Sequence, residues 1–203
     1  MDVAASETDD EVPGTRARIL AAAASTLSAR GYAQTHLDEI ARSAGLRPPA
    51  IYYYYSSRDD LVVAVLREGQ QRVRAHVQHA VDSLPPGSSA RERIGAAVEA
   101  HLRLELELSD FANAVTRNIG HVPVELRSEL DRDSADFHDL WRALLMDARD
   151  EGDLRSDIDL GLARLLVIGA LNWTAEWRQP STSVDAIVSA ARSLVDHALF
   201  PAT

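Results

Sequence analysis

The fold is decided by Thr35-His36-Leu37-Asp38-Glu39-Ile40-Ala41-Arg42-Ser43-Ala44-Gly45-Leu46, followed by Arg47-Pro48-Pro49-Ala50-Ile51-Tyr52-Tyr53-Tyr54-Tyr55. Ile40, Ala41 and Ala44 mark the inward face of a short helix that stops at Gly45. Thr35 is expected to cap that helix, with Asp38 as its box partner three residues on. Pro48 and Pro49 suit the first turn of the next helix, where a missing N–H costs little. Two short helices across a tight glycine turn are how a helix-turn-helix lays its second helix in the major groove of DNA. Four consecutive tyrosines cannot all be core, because successive helical residues diverge by about 100°. At least two must face outward, where a ring with a hydroxyl suits phosphate bonding and contact with a thymine methyl. The plain alternative is that the tyrosines only pack the small domain, and it fits Tyr55 best.

Outward from this stretch, nearly every segment carries helical period. A first helix is expected over about Arg16 to Arg30, with Ile19, Leu20, Ala23 and Leu27 on one face and Gly31 closing it. Ser57 and Asp60 box the start of a long fourth helix, whose apolar stripe runs from Leu61 to Leu84 before Pro85-Pro86-Gly87 breaks it. Leu102 to Leu108 (LRLELEL) alternates with period two, nominally a strand. Its residues are good helix formers and no second strand-like run exists to pair with it, so a helix from Ala90 to about Leu108 is expected. Pro123 opens another long helix ending at Gly152. Leu160 to Trp177 is apolar almost all round, as expected of a buried helix. Ser183 to Leu199 closes the chain with Val184, Ile187, Val188, Ala191, Leu194, Val195 and Ala198 in phase. The expected architecture is all-α, about nine helices: a disordered tail (1–14), a helix-turn-helix domain (15–58) and a ligand-binding and dimerisation domain (59–203).

The net charge of −10 conflicts with DNA binding until its distribution is considered. From Pro13 to Arg58 six arginines stand against Asp38 and Glu39, a balance of +4. From Asp59 onward 15 arginines stand against 24 acids, a balance of −9. A basic head and an acidic body confine nucleic-acid contact to the first quarter. There is no cysteine, which removes disulfides, thiolate metal sites and cysteine nucleophiles, and fits a cytoplasmic location. The acidic N-terminus is not a signal peptide, and no apolar run is long enough to span a bilayer. No nucleophile-elbow, dinucleotide, Walker or zinc-protease pattern is present, so the chain is not expected to be an enzyme or to carry a cofactor. His76 and His79 lie three apart but lack a third ligand within reach, so they are taken as surface histidines rather than a metal site.

The run from Arg18-Ile19-Leu20 through Gly31-Tyr32, Thr35, Ile40-Ala41, Ala44-Gly45 and Ile51-Tyr52-Tyr53-Tyr54-Tyr55-Ser56-Ser57-Arg58 to Leu61 resembles the DNA-binding domain of the TetR family. The resemblance implies that Tyr52, Tyr53 and Tyr54 contact base and phosphate and that Arg58 grips phosphate. It also implies that Arg47 and Pro49 touch bases, while Thr35 at a helix N-terminus suits a phosphate. Three positions depart from the family pattern: Tyr54-Tyr55, where aromatic-His-Phe is usual, Pro48, and Asp38 in place of a basic base-reading residue. Asp38 either caps its helix or accepts from a cytosine amine.

In the body, Trp141 to Leu145, Glu151 to Asp159 and Leu171-Asn172-Trp173 to Pro180 are similar to TetR-family members that sense acyl-CoA thioesters. The implied protein is a repressor released from a palindromic operator by a small, largely apolar effector. The rival readings are a helical ligand-binding protein with a vestigial DNA module and a ligand-independent DNA-binding dimer. Candidate pocket residues are His101, Glu105, Phe111, Trp141 and Trp173. His101 and Glu105, four apart, are either a buried hydrogen-bonded pair or polar anchors in an apolar pocket, and the tryptophans either core or platform. Arg103, Arg142 and Arg178 are the candidates for the phosphates of an acyl-CoA. A homodimer is expected through residues 160–177 and 183–199, because their apolar stripes exceed what one small bundle can bury.

Overall fold

The computed structural model describes residues 14–179 and 181–201 of the 203-residue chain. Residues 1–13 of the expected tail lie outside the described residues. Those described form nine α-helices and no strand.

Helix α1 (Thr15–Arg30) buries Ile19, Leu20, Ala23 and Leu27 and ends where Gly31 turns at φ +78°. Helices α2 (Leu37–Ser43) and α3 (Pro48–Tyr52) follow, the latter with proline in its first turn. The expected Thr35–Asp38 cap does not form. Helix α2 begins after an extended His36 that offers no side-chain cap, and Thr35 is fully buried with its hydroxyl donating to Gly31 O at 2.8 Å. The exposed Asp38 lies in the first turn, where its charge suits the helix dipole without capping.

Helix α4 (Arg58–Asp82) starts as expected, with the Ser57 hydroxyl accepting from Asp60 N. Helix α5 (Ala90–Arg103) opens on a complete Ser89–Glu92 capping box. The alternating Leu104–Leu108 segment continues it as a widened π turn, which accounts for Leu104 and the neighbouring Glu105 both being buried. Helix α6 (Asp110–Asn118), capped by the Ser109 hydroxyl, was not delimited from the sequence. Helices α7 (Val124–Asp150), α8 (Leu160–Trp177) and α9 (Val184–Leu199) complete the chain close to their expected bounds.

Two cores result. One gathers α1 to α3, Tyr55 and Leu61 to Leu66 of α4, and extends into the body through Phe111 and Ala114 of α6, Val122 and Leu130. The other packs Val77 with α5, α9, Trp141, Leu144 and Leu145 of α7, and Ile168 and Leu171 of α8. The expectation that α8 is buried all round fails within the single chain. Only Ile168, Leu171 and Thr174 are buried, whereas Leu162, Leu165, Leu166, Trp173 and Trp177 are more than half exposed. Together with Leu194 of α9, itself 69% exposed, α8 lines an apolar groove of about 840 Å³. No helix among the described residues is long and apolar enough to cross a membrane.

Candidate DNA-binding face and ligand cavity

Between α2 and α3 the chain passes through Gly45 at φ +66°, with Leu46 N donating to Ala41 O at 2.8 Å to close the turn. The Arg18 guanidinium donates to Ala44 O, tying α1 to the end of α2, and a Cβ on Gly45 would stand only 3.0 Å from Arg18 Nη2. It is the left-handed backbone that favours glycine here, since the Arg18 guanidinium is a flexible end that can shift. The turn projects Tyr52 (58% exposed) and Tyr53 (84%) into solvent, with Tyr54 at 40% and Tyr55 buried. Tyr53 and Tyr54 meet edge to face, ring centroids 5.0 Å apart. Arg47 and Pro49 are exposed beside Tyr52 in sequence, at the start of α3.

Two members of the expected contact set sit differently. Thr35 is enclosed and its hydroxyl already bonded, so it supports the turn and does not reach a phosphate. Arg58 lies over the Tyr32 ring at 4.4 Å, donates to Asp59 Oδ1 at 2.9 Å and to Tyr32 O at 3.3 Å, and so must release Asp59 before it can serve a phosphate.

The body holds a cavity of about 330 Å³ bounded by α4, α5, α6, α7 and α8. His101, Glu105 and Trp173 line it, the last more than half exposed. Phe111 and Trp141 do not. Phe111 turns into the head's core beneath the Arg72 guanidinium, 4.0 Å from its ring centroid, and Trp141 packs behind His101 and Phe137. Sequence reasoning missed Gln70, Thr116, Phe137, His138 and Asn172, which also line the cavity. Asn172 alone carried a signal, as part of Leu171-Asn172-Trp173. The others come from three further helices that no local pattern brings together.

His101 and Glu105 do not bond each other. Burial holds the His101 pKa down at about 4; the side chain of Asn172 favours the charged form, yet both ring nitrogens lack a partner in good hydrogen-bonding geometry. Burial pushes Glu105 up to about 7 against the opposing influence of Thr116 and Arg117, and its Oε1 is without a partner. A buried polar atom without a partner costs about 1–3 kcal/mol, so these groups gain from any hydrogen-bonding occupant of the cavity. None of the three arginines expected to meet phosphates lines the cavity. Arg103 is ringed by Glu99, Glu107 and Asp185, Arg142 pairs with Asp139, and Arg178 donates to Leu106 O. Among the described residues no group of three histidines or acids is placed to hold a metal.

Helix α6 joins cavity and head. Ala112, Val115 and Thr116 face the cavity, while Asn118 Nδ2 donates to Leu27 O of α1 and Arg117 Nη1 to Ser28 O, with Arg117 Nε reaching Glu176 of α8. Where α6 crosses α4, Gly69 permits the approach: a Cβ there would stand 2.5 Å from both Phe111 O and Val115 Cγ2.

An exposed recognition helix on a basic head, carried by an acidic helical body with an internal cavity, defines a helix-turn-helix transcriptional regulator. The family models agree on both parts: "Bacterial regulatory proteins, tetR family" matches residues 19–65, and "Tetracyclin repressor-like, C-terminal domain" matches residues 87–197. The chain belongs to the TetR family of DNA-binding transcriptional regulators. It is similar to the HTH-type transcriptional repressor KstR2 of Rhodococcus jostii, 26% identical over 186 residues, covering 90% of this chain and 89% of that protein. Its fold matches a crystal structure of FadR from Bacillus subtilis in complex with stearoyl-CoA (TM-score 0.75, 19% identity, 88% of this chain and 96% of that one). It also matches AibR in complex with isovaleryl coenzyme A and operator DNA (TM-score 0.77, 19% identity, 89% and 97%).

Proposed function

We propose that this chain is a cytoplasmic repressor that binds a palindromic operator as a homodimer and is released by a small, largely apolar effector held in the α4–α8 cavity. The observation that carries this reading is the double role of α6, which walls the cavity on one side and is bonded to α1 of the head on the other. A ligand that favours one position of α6 therefore biases the position of the head, and release requires tighter binding to the DNA-incompetent arrangement. Arg47, Pro49, Tyr52, Tyr53 and Tyr54 are the contact set for DNA, with Arg58 joining them if it leaves Asp59. Dimerisation is assigned to the outer faces of α8 and α9, because an exposed apolar groove of this extent marks an interaction surface. Two-fold symmetry then matches paired half-sites. The relatives crystallised with acyl-CoA ligands make acyl-CoAs the first class to screen.

The test is a gel shift on the region upstream of the chain's own gene, followed by a screen of acyl-CoAs, free acids and apolar drugs for release. Specific retardation reversed by one class is the expected result. Absence of specific DNA binding by folded protein would defeat the regulator reading, and binding that no effector reverses would defeat release.

A further inference from the structure

The cavity has a charge character that bears on which effectors it accepts. Among the described residues no arginine lines it, and the sequence has no lysine at all; burial holds its two histidines, His101 and His138, toward the neutral form, which leaves the Glu105 carboxylate as its charged group near neutral pH. Glu105 and Gln70 are 2% and 6% exposed, and their Oε1 atoms are hydrogen-bond acceptors with no partner. Gln70 is held in that orientation because its amide nitrogen donates to Ser134 Oγ at 2.8 Å, which leaves the oxygen as the free end. The cation whose charge acts on Glu105, Arg117, is engaged with Glu176 and Ser28 O outside the lining. Arg164 touches the cavity wall only from behind, donating to His138 O. Phe137 and the half-open Trp173 give the same space aromatic surface.

We infer that the effector presents an N–H donor to Glu105 and Gln70, and that the cavity refuses carboxylates. The inference rests on the ligand-released reading above and names the chemistry of its ligand. A free carboxylate entering this space would meet the Gln70 and Glu105 acceptors and a like charge, with only neutral donors such as the His101 ring and no permanent cation to offset its desolvation. N–H donors satisfy acceptors of this kind, and a protonated amine adds a charge-assisted bond and cation–π attraction to the rings. The donor could belong to an amine or to an amide such as the pantetheine arm of an acyl-CoA. At about 330 Å³ the cavity lies at the small end of ligand pockets, so it takes a compact head and short chain rather than a whole coenzyme.

The experiment measures binding of octylamine, octanamide, octanoate and octanoyl-CoA to the intact protein by calorimetry and thermal shift at pH 7.5, with Glu105→Gln and Glu105→Leu beside wild type. Octylamine and octanamide should bind, octanoate at least about tenfold more weakly, since a hydrogen bond to a charged group is worth about tenfold or more in affinity. Glu105→Gln keeps an acceptor but not the charge, so it should weaken octylamine about tenfold and leave octanamide nearly unchanged. Glu105→Leu should weaken both. If octanoyl-CoA binds with the octanamide pattern, the donor is the pantetheine amide and the inference holds. Octanoate binding as well as octanamide, or an amine preference that survives Glu105→Leu, would overturn it. The unliganded operator gel shift, run on every variant, checks folding and separates the two readings: amine or amide binding through Glu105 without operator release upholds the cavity chemistry and defeats the release mechanism.

Discussion

Replacing Gly69 by alanine tests whether the α4–α6 crossing transmits anything. The new Cβ would stand 2.5 Å from Phe111 O and from Val115 Cγ2, whereas ordinary contact begins at 3.4 Å. Val115 can rotate away, but Phe111 O is backbone, so α6 must move by about 0.9 Å or α4 must bend. Overpacking of this kind costs about 1–3 kcal/mol. Against it stands the helix-propensity gain of alanine over glycine, about 1 kcal/mol. The net expectation is a loss of about 0–2 kcal/mol, each kcal/mol lowering the melting temperature of a chain this size by about 2–4 °C. Moving α6 also moves Arg117 and Asn118, which hold α1, so operator affinity and the effector response should change together. Gly95→Ala is the control. Its Cβ would meet only the Arg192 guanidinium, at 3.1 Å, a flexible side-chain end that can yield, and it should stabilise or do nothing. Calorimetric melting and operator titration of both variants decide the matter. A Gly69→Ala protein that melts higher by the full propensity gain and binds operator and effector like wild type refutes the coupling.

Tyr52→Ala and Arg47→Ala should each weaken specific operator binding by about 1–3 kcal/mol in fluorescence anisotropy; wild-type affinity in both would remove α3 from the groove. Arg58→Ala should flatten the salt slope of binding by about one unit, and an unchanged slope with a lowered melting point would keep Arg58 inside the protein with Tyr32 and Asp59. Leu166→Arg with Leu194→Arg should give a folded monomer by analytical ultracentrifugation, since both side chains are largely exposed in the single chain; an intact dimer would place the interface elsewhere. Ile187, only 6% exposed, belongs to the subunit's own core, so a charge there would test folding and not the interface. His101 and Glu105 set opposing pH slopes. The depressed His101 loses stability as pH falls from 6.5 toward 4, while the raised Glu105 loses it as pH rises from 4.5 through 7. Between pH 4.5 and 6.5 they cancel, so stability of Glu105→Gln should rise with pH there and that of His101→Gln should fall, measured by denaturant melts; parallel curves for both would mean neither group titrates as its burial implies.

Local signals carried most of the fold. Ser57 and the Pro85-Pro86-Gly87 break each act within a few residues of the boundary they set, and the structure places those boundaries close to where the sequence does. Thr35 misled because a hydroxyl beside a helix start can bond backward as easily as forward, and here it takes Gly31 O. Helix α6 went undelimited because its nine residues span only about two and a half turns, too few for a period to stand out. The outward tyrosines were legible from the 100° step alone. The cavity was legible only in part, because His101 and Glu105 share one helix face whereas Gln70, Thr116, Phe137 and Asn172 converge from four others. Phe111 and Trp141 failed as pocket residues since hydrophobicity fixes that a ring is buried but not against what. For α8, an apolar surface in sequence does not say whether the same chain or another covers it.

The shared packing of α1 with Phe111, Ala114 and Asn118 limits how such a regulator can be rebuilt. A chimera cut at residue 58, grafting this head onto a different sensor, would leave α1 facing a foreign α6 and would lose the bonds that Asn118 and Arg117 donate to the Leu27 and Ser28 carbonyls. The transplantable unit is therefore discontinuous: the head together with the α6 segment, 110–119, inserted as a matched pair. Exchanges that respect this should inherit both the operator preference and a working response, whereas exchanges at the apparent domain boundary should yield proteins that fold poorly or bind DNA without listening to their ligand.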